Sequence, residues 1–323
     1  MAGLVNGQWV NTPIAHSEQK DGAFHREPTR FRGTVERAEA GRYQLFVSYL
    51  CPWACRTLIV RVLKGLEDVI PVSVAEPVLG DDGWVYATPQ DAGPTLPPVR
   101  FHHQLYTASD PTYTGKVSVP VLWDRQEGRI VNNESAEIIR LLNTAFDPLT
   151  GNTLDLYPEP LRETIDAWNA LIYPSVNNGV YRCGFATSQD AYDAAFDDLF
   201  ATLDRLDSHL SASRYLAGEY VTEADWRLFV TLVRFDVAYV GAFKCNARRI
   251  ADYPALSGYL RELYQWPGIR STVRLDHIKT GYYVNRAINP TLIVPKGPLV
   301  DLDSPHGRGH LPGLGLWDRR GRG

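Results

Sequence analysis

Two kinds of hydrophobic spacing divide this chain near residue 150. In the first half, Tyr43-Gln44-Leu45-Phe46-Val47-Ser48 reads as a strand, Pro52 to Leu66 as a helix and Val69 to Ala75 as a second strand. The helix carries its apolar stripe on Leu58, Ile59, Val62, Leu63 and Leu66, which leaves Arg56, Arg61 and Lys64 for the wet side. Proline at the first helical position is favourable, because the N–H it lacks would have no partner there. Val117 to Trp123 predicts a further strand, Asp124 to Gly128 a turn, Arg129 to Val131 a return strand, and Glu134 to Phe146 a helix. Residues 76–115, rich in proline and glycine and carrying the pair His102-His103, read as a long insertion of loop with short elements. The order β-α-β, insertion, β-β-α is that of a thioredoxin-like α/β domain.

From about residue 155 the spacing becomes helical. Gln189 to Leu210 and Thr222 to Val240 are long amphipathic segments, and Tyr253 to Gln265 is a shorter one ended by Pro267-Gly268. Thr222-Glu223-Ala224-Asp225 opens the second of these as a capping box, in which the threonine hydroxyl meets the free N–H of Asp225. The expected organisation is therefore a lead-in over residues 1–42, a thioredoxin-like domain over 43–150, an all-helical domain over 151–288 and an extension over 289–323. No internal repeat is visible.

Composition narrows the partners. Of 323 residues, 44% are hydrophobic and 22% charged, which suits a globular protein with a real core. A formal net charge of −4 argues against nucleic acid or an anionic membrane, both of which favour a basic surface. The first residues, Met1-Ala2-Gly3-Leu4, show neither a basic nor an apolar signal region, and no stretch approaches the ~18 apolar residues of a membrane span. Four cysteines, Cys51, Cys55, Cys183 and Cys245, are too few and too scattered for a disulfide framework. A cytoplasmic location is expected.

The chemistry concentrates at Cys51. It stands between a strand and a helix, directly before Pro52, at the position where backbone N–H groups and the positive end of the helix dipole favour an anion. A thiolate is the nucleophilic form of cysteine, and such a position favours it. Arg56 and Arg61, downstream, add positive potential. Cys55 follows at C-x-x-x-C spacing, not the C-x-x-C of dithiol redox proteins, and reads as packing before it reads as a resolving thiol. Cys183 and Cys245 read as core. Cys51, Cys55, His102 and His103 do not have the spacing of a zinc site, and no metal is expected.

Two further features belong with Cys51. Val119-Pro120 matches the cis-proline position of thioredoxin-like folds, where Val119 offers its backbone edge to an extended peptide. Glu134-Ser135 opens a helix: its amides and hydroxyl suit a carboxylate, and Glu134 suits an ammonium group. Alone, such a pair is ordinary helix capping. Beside Cys51 and Val119-Pro120 it describes a site for an α-amino acid terminus, such as the γ-glutamyl end of glutathione.

At these residues the sequence resembles the Xi-class, omega-like glutathione transferases, the glutathionyl-hydroquinone reductases. The resemblance rests on Cys51-Pro52-Trp53-Ala54 with Arg56-Thr57-Leu58-Ile59, Asp81-Asp82-Gly83-Trp84, Val119 to Asp124 and Ile130 to Arg140. In the second half it continues through Asn177 to Arg182, Gly184-Phe185-Ala186-Thr187, Leu232 to Asp236, Phe243-Lys244-Cys245-Asn246 and Ile288-Asn289-Pro290. It runs from about residue 30 to 305. It implies a glutathione-transferase all-α domain after the thioredoxin-like one, a homodimer, and glutathione as co-substrate. It also implies that the Cys51 thiolate attacks the sulfur of a glutathionyl-hydroquinone, forming a mixed disulfide that a second glutathione resolves. By the same resemblance Val119, Pro120, Glu134 and Ser135 bind glutathione, Trp84 packs on it, and Tyr181 and Tyr282 line the pocket for the hydroquinone ring. Outside the resemblance these two tyrosines would read as core or surface rings. The chain departs from the pattern at Cys55 and at Gly281, where histidine is usual. An omega-like thioltransferase or dehydroascorbate reductase would use the same Cys51 on another substrate, and a non-catalytic binding module would keep the fold alone.

Overall fold

A computed structural model describes residues 2–11 and 21–321. Two compact units divide the chain: residues 27–152 with the N-terminal hairpin form the first, and residues 21–26 with 153–321 the second.

The first unit opens with strands β1 (Gly3–Val5) and β2 (Gln8–Val10), joined by Asn6-Gly7. Both turn residues have positive φ, 48° and 75°, as a two-residue hairpin of primed type requires. This hairpin sits on the insertion: Leu4 pairs with Gly115, and the Trp9 indole N–H donates to the Asp81 carbonyl at 2.7 Å. The central strand β3 (Tyr43–Val47) is buried along its whole length, so its side chains are apolar on both faces except Gln44, which donates to Ser73. Helix α1 (Pro52–Leu63) leads to β4 (Val72–Val74), parallel to β3. The insertion folds as the hairpin β5 (Val85–Gln90) and β6 (Val99–Phe101) followed by α2 (His103–Ser109). Strands β7 (Val121–Asp124) and β8 (Arg129–Asn132) complete a four-stranded sheet in the order β4-β3-β7-β8, with Leu45 opposite both Val72 and Leu122. Helices α3 (Ser135–Thr144) and α4 (Asp147–Thr150) close the unit, and α1 packs on α3.

Three expectations change here. The strand placed at Val117 to Trp123 starts only at Val121, because Val119-Pro120 is a bend with a cis bond and Pro120 has no N–H to pair. The 1–42 lead-in is not one piece, since it supplies a hairpin to the first unit and residues 21–26 to the second. The wet face given to Arg56, Arg61 and Lys64 is kept only in part, at the partly exposed Arg61. Arg56 and Lys64 are each 1% exposed. Lys64 pairs with Asp147 at 2.9 Å and donates to the Asn152 carbonyl, while Arg61 holds the carbonyls of Ile70 and Glu67. Arg56 and Lys64 are buried because each has an acceptor within reach, whereas Arg61 is partly exposed.

In the second unit β9 (Leu154–Asp155) precedes α5 (Arg162–Ile172), which runs into a wider π-helical turn over Tyr173–Asn177 and then α6 (Gly179–Gly184). α7 (Gln189–Ala212) starts at Ser188, whose hydroxyl accepts from Ala191 N–H. After β10 (Tyr220–Val221), α8 (Glu223–Arg234) opens with the expected capping box, Thr222 N–H donating to the Asp225 carboxylate at 2.8 Å. The helix foreseen to Val240 is interrupted by a second π turn, Phe235–Tyr239, and resumes as α9 (Val240–Ala242). α10 (Pro254–Tyr264) and α11 (Leu275–Tyr283) follow. Residues beyond 289 are integrated, not appended: β11 (Gly315–Asp318) pairs with both β10 and β9. Arg308, 4% exposed, donates to Glu262 and to the carbonyls of Leu210, Ser213 and Arg214. No helix among the described residues is long and apolar enough to cross a membrane.

Candidate active site

Cys51 is the N-cap of α1, in extended conformation (φ −77°, ψ 123°), with Pro52 at the first helical position. Its N–H is held by the Ser48 carbonyl at 3.1 Å, so the end of β3 fixes where the helix begins. Cys51 is partly exposed, unlike Cys55, Cys183 and Cys245, which are buried; none of the four forms a disulfide among the described residues. Cys51 donates to the Val119 carbonyl at 3.4 Å, and the Val119-Pro120 bond is cis. The structure thus brings the expected nucleophile onto the expected bend.

At the start of α3 the residues divide the work differently from the sequence reading. Glu134 is the N-cap and Ser135 the first helical residue. One Glu134 carboxylate oxygen accepts from Ala136 N–H at 3.1 Å, and the other from Thr29 at 3.2 Å. Glu134 therefore caps its own helix while remaining partly exposed. The Ser135 hydroxyl accepts from the buried Arg56 guanidinium at 3.3 Å, and that guanidinium also stacks 4.5 Å over Trp53. A cation from the nucleophile's own helix thus lies at the α3 N-terminus, where helix amides and positive charge together favour a carboxylate. Trp84 is buried at 9% exposure, and its carbonyl accepts from His102 N–H.

Sequence reasoning missed the support beneath Val119. The Ser118 carbonyl is held by the Tyr106 hydroxyl at 2.8 Å and by His102 Nε2 at 2.9 Å, while His102 Nδ1 accepts from Tyr86 at 2.7 Å. Asn133, next to Glu134, donates to Tyr106 at 3.1 Å. The insertion is thus the floor of the bend that carries Val119. The only signal was the His-His pair, and its partners are distant in sequence. His103 stacks between Trp9 and Phe101 and is no ligand of anything near Cys51.

Complete burial lowers the His102 pKa to about 4, against the opposing pull of the Ser118 carbonyl. In an unfolded chain the imidazole titrates near its ordinary value of about 6.5. Between those values the unfolded state binds more protons, so stability is full above about pH 6.5 and falls as pH drops toward 4. The shift is worth roughly 3 kcal/mol. Denaturant unfolding at pH 7 and pH 4.5 should show wild type losing most of this, and His102→Gln losing distinctly less between the same two points. Equal losses in the two proteins would count against a neutral His102.

In the second unit, Tyr181 of α6 and Tyr282 of α11 bring their hydroxyls to 2.7 Å. A third phenol, Tyr239, which sequence reasoning did not single out, reaches Tyr282 at 3.0 Å. It ends the π turn, a helical irregularity that breaks the 3.6-residue spacing a sequence search relies on. Burial holds the Tyr239 and Tyr282 phenols well above their ordinary range. Phe185 and Phe243 pack on Tyr181, and Gly184 is needed there because a Cβ would lie 2.2 Å from the Phe243 ring. Gly281, where the resemblance leads one to expect histidine, directly precedes Tyr282.

The models of the glutathione S-transferase N-terminal and C-terminal domains match residues 50–145 and 189–262, so the chain belongs to the glutathione S-transferase family. Its place within that family is with the Xi-class glutathionyl-hydroquinone reductases. It is 48% identical over 324 residues to glutathionyl-hydroquinone reductase YqjG of Escherichia coli K12, covering 95% of this chain and 98% of that one. The glutathione-bound structure of YqjG matches with a TM-score of 0.82 at 50% identity, over 89% of this chain and 97% of that chain. The Xi-class transferase of Natrialba magadii matches with a TM-score of 0.88 at 46% identity, over 97% and 98%.

Proposed function

We propose that this protein reduces glutathionyl-hydroquinones to hydroquinones at the expense of glutathione. The observation that carries the reading is a single accessible thiol, Cys51, at a helix N-terminus against Val119, with its three fellow cysteines buried. The 48% identity to a glutathionyl-hydroquinone reductase supports the substrate class.

In the first step the Cys51 thiolate attacks the sulfur of the glutathionyl group. The carbon–sulfur bond breaks, its electron pair stays with the ring carbon, and that carbon takes a proton from water to give the hydroquinone. Cys51 is left as a mixed disulfide with glutathione. In the second step a glutathione thiolate attacks that disulfide, oxidised glutathione departs, and the Cys51 thiolate is restored. Val119 and Pro120 supply the backbone edge for the tripeptide, Trp84 packs on it, and Glu134, Ser135 and the α3 amides receive its α-amino acid end. Tyr181 and Tyr282 hydrogen-bond a hydroquinone oxygen, which orients the ring so that its sulfur faces the attacking thiolate. Buried Cys55 supports a one-thiol cycle. A homodimer in the cytoplasm accompanies this reading, and four cysteines without a disulfide among the described residues support a reducing compartment.

Turnover of glutathionyl-menadiol, compared with dehydroascorbate and a simple mixed disulfide, tests the assignment. The hydroquinone conjugate should be the best substrate by at least tenfold in kcat/KM; a preference for dehydroascorbate would point to the omega-like alternative. Glu134→Ala should raise the apparent KM for glutathione about tenfold or more, since an ammonium group loses its charged acceptor. Iodoacetamide labelling of Cys51 should change little in the same variant. A thiol without the γ-glutamyl end, such as mycothiol, should scarcely turn over, and faster turnover with it would remove Glu134 and Ser135 from the site.

A further inference from the structure

Strands β7 and β8 pair as far as Leu122 opposite Asn132, and beyond that pair the two chains leave the sheet. One runs back through Val119, the other on to Glu134 and Ser135 at the start of α3. Tyr106 of α2 spans the space between them. It is buried, with its ring against Phe31 and Tyr113. Its hydroxyl donates to the Ser118 carbonyl at 2.8 Å, and accepts from Ser118 N–H and from the Asn133 side chain, each at 3.1 Å. Ser118 precedes Val119 and Asn133 precedes Glu134, so one phenol oxygen links the bend to the helix start.

We propose that Tyr106 is a positioning residue for glutathione, setting the spacing between the Val119 edge and the Glu134-Ser135 helix start, and with it the preference for a thiol that has a γ-glutamyl end. This rests on the proposed function, which seats the tripeptide across those two places. The peptide group that carries the Ser118 carbonyl also carries the Val119 N–H, and because it is planar, holding one aims the other. A ligand held at two points gains from the second only as far as the spacing of the site matches its own. Thr29 and Ala136 hold the Glu134 carboxylate, and Arg56 holds the Ser135 hydroxyl. Those bonds orient the two side chains, whereas the bond from Asn133 to Tyr106 refers them to Val119. α2 is itself fixed at its far end, where the Ser109 hydroxyl accepts from Ile130 N–H of β8 at 2.8 Å.

Two ligands separate this role from plain support of the fold. S-methylglutathione cannot react with Cys51 and reaches both places; S-methylcysteinylglycine lacks the γ-glutamyl end and reaches only the first. Their dissociation constants would be measured by calorimetry on the full chain, the dipeptide in competition with the tripeptide. Tyr106→Phe should weaken the tripeptide about tenfold and the dipeptide less than about twofold, because His102 still holds the Ser118 carbonyl in that variant. Asn133→Ala leaves both bonds between Tyr106 and Ser118 in place and should show the same selective loss, so it decides the matter if Tyr106→Phe does not fold. Iodoacetamide labelling of Cys51, whose sulfur lies against the Val119 carbonyl, should keep its rate within about twofold in both variants. The tripeptide losses of Tyr106→Phe and Glu134→Gln should combine to less than their sum, since an acceptor already removed has no position left to lose. Equal weakening of the two ligands, an unweakened tripeptide, or strict additivity with Glu134→Gln would overturn the proposal. A wild type that does not prefer the tripeptide would remove the γ-glutamyl seat at Glu134 and Ser135 itself, and this inference with it.

Discussion

Cys51→Ala is expected to lower turnover of glutathionyl-hydroquinones by about a thousandfold or more while the protein stays folded. Cys55, Cys183 and Cys245 are buried, so nothing in the described structure offers a second sulfur to the substrate. The side chain lost is small and partly exposed, which keeps the cost to the fold slight. Circular dichroism should therefore be unchanged. Peptide mass mapping after incubation without excess thiol should find one glutathionyl group on Cys51 in wild type and none in the variant. Activity within tenfold of wild type, or an adduct on Cys55, would mean that the nucleophile lies elsewhere.

The largest loss of stability is expected from Asp225→Ala. This carboxylate is buried, and burial raises its pKa, yet it accepts from Leu216 N–H at 2.9 Å, Thr222 N–H at 2.8 Å, the Thr222 hydroxyl at 3.0 Å and the Tyr259 hydroxyl at 2.8 Å. One side chain thus joins the start of α8, the loop before β10 and the body of α10. Alanine leaves four donors facing no acceptor away from water, at a cost of about 4 kcal/mol. The thermal midpoint should drop by roughly 10 °C. Thr222→Val removes only one donor and should cost about 1 kcal/mol. A loss below about 1 kcal/mol for Asp225→Ala would show that water satisfies these donors.

The sequence was most readable where local chemistry and periodicity agree. The strand-Cys-Pro-helix order placed Cys51 at an N-cap, and Thr222 with Asp225 announced the start of α8. It was least readable where a polar residue is rescued by something distant. Arg56 and Lys64 look solvent-facing by spacing, but Ser135 and Asp147 lie far along the chain. The His102 network is hidden for the same reason, since nothing near His102 in sequence names Ser118 as its partner. The Asn6-Gly7 hairpin was a missed local signal, because so short a pair of strands lies below the length at which alternation is convincing. Tyr239 escaped because it lies where a π turn shifts the helical register.

The stitching of residues 308–318 into the second unit has a consequence for how the protein is made. β9 begins that unit, yet its strand partner is β11, and the Glu262 carboxylate on α10 waits for Arg308. On the ribosome the first unit has all of residues 27–152 available early, and domains emerging first fold first. The second unit cannot seal until residues 308–318 have left the exit tunnel. For most of its synthesis the nascent chain is therefore an asymmetric object: one part native, the other helical and open, with its buried carboxylate still wet.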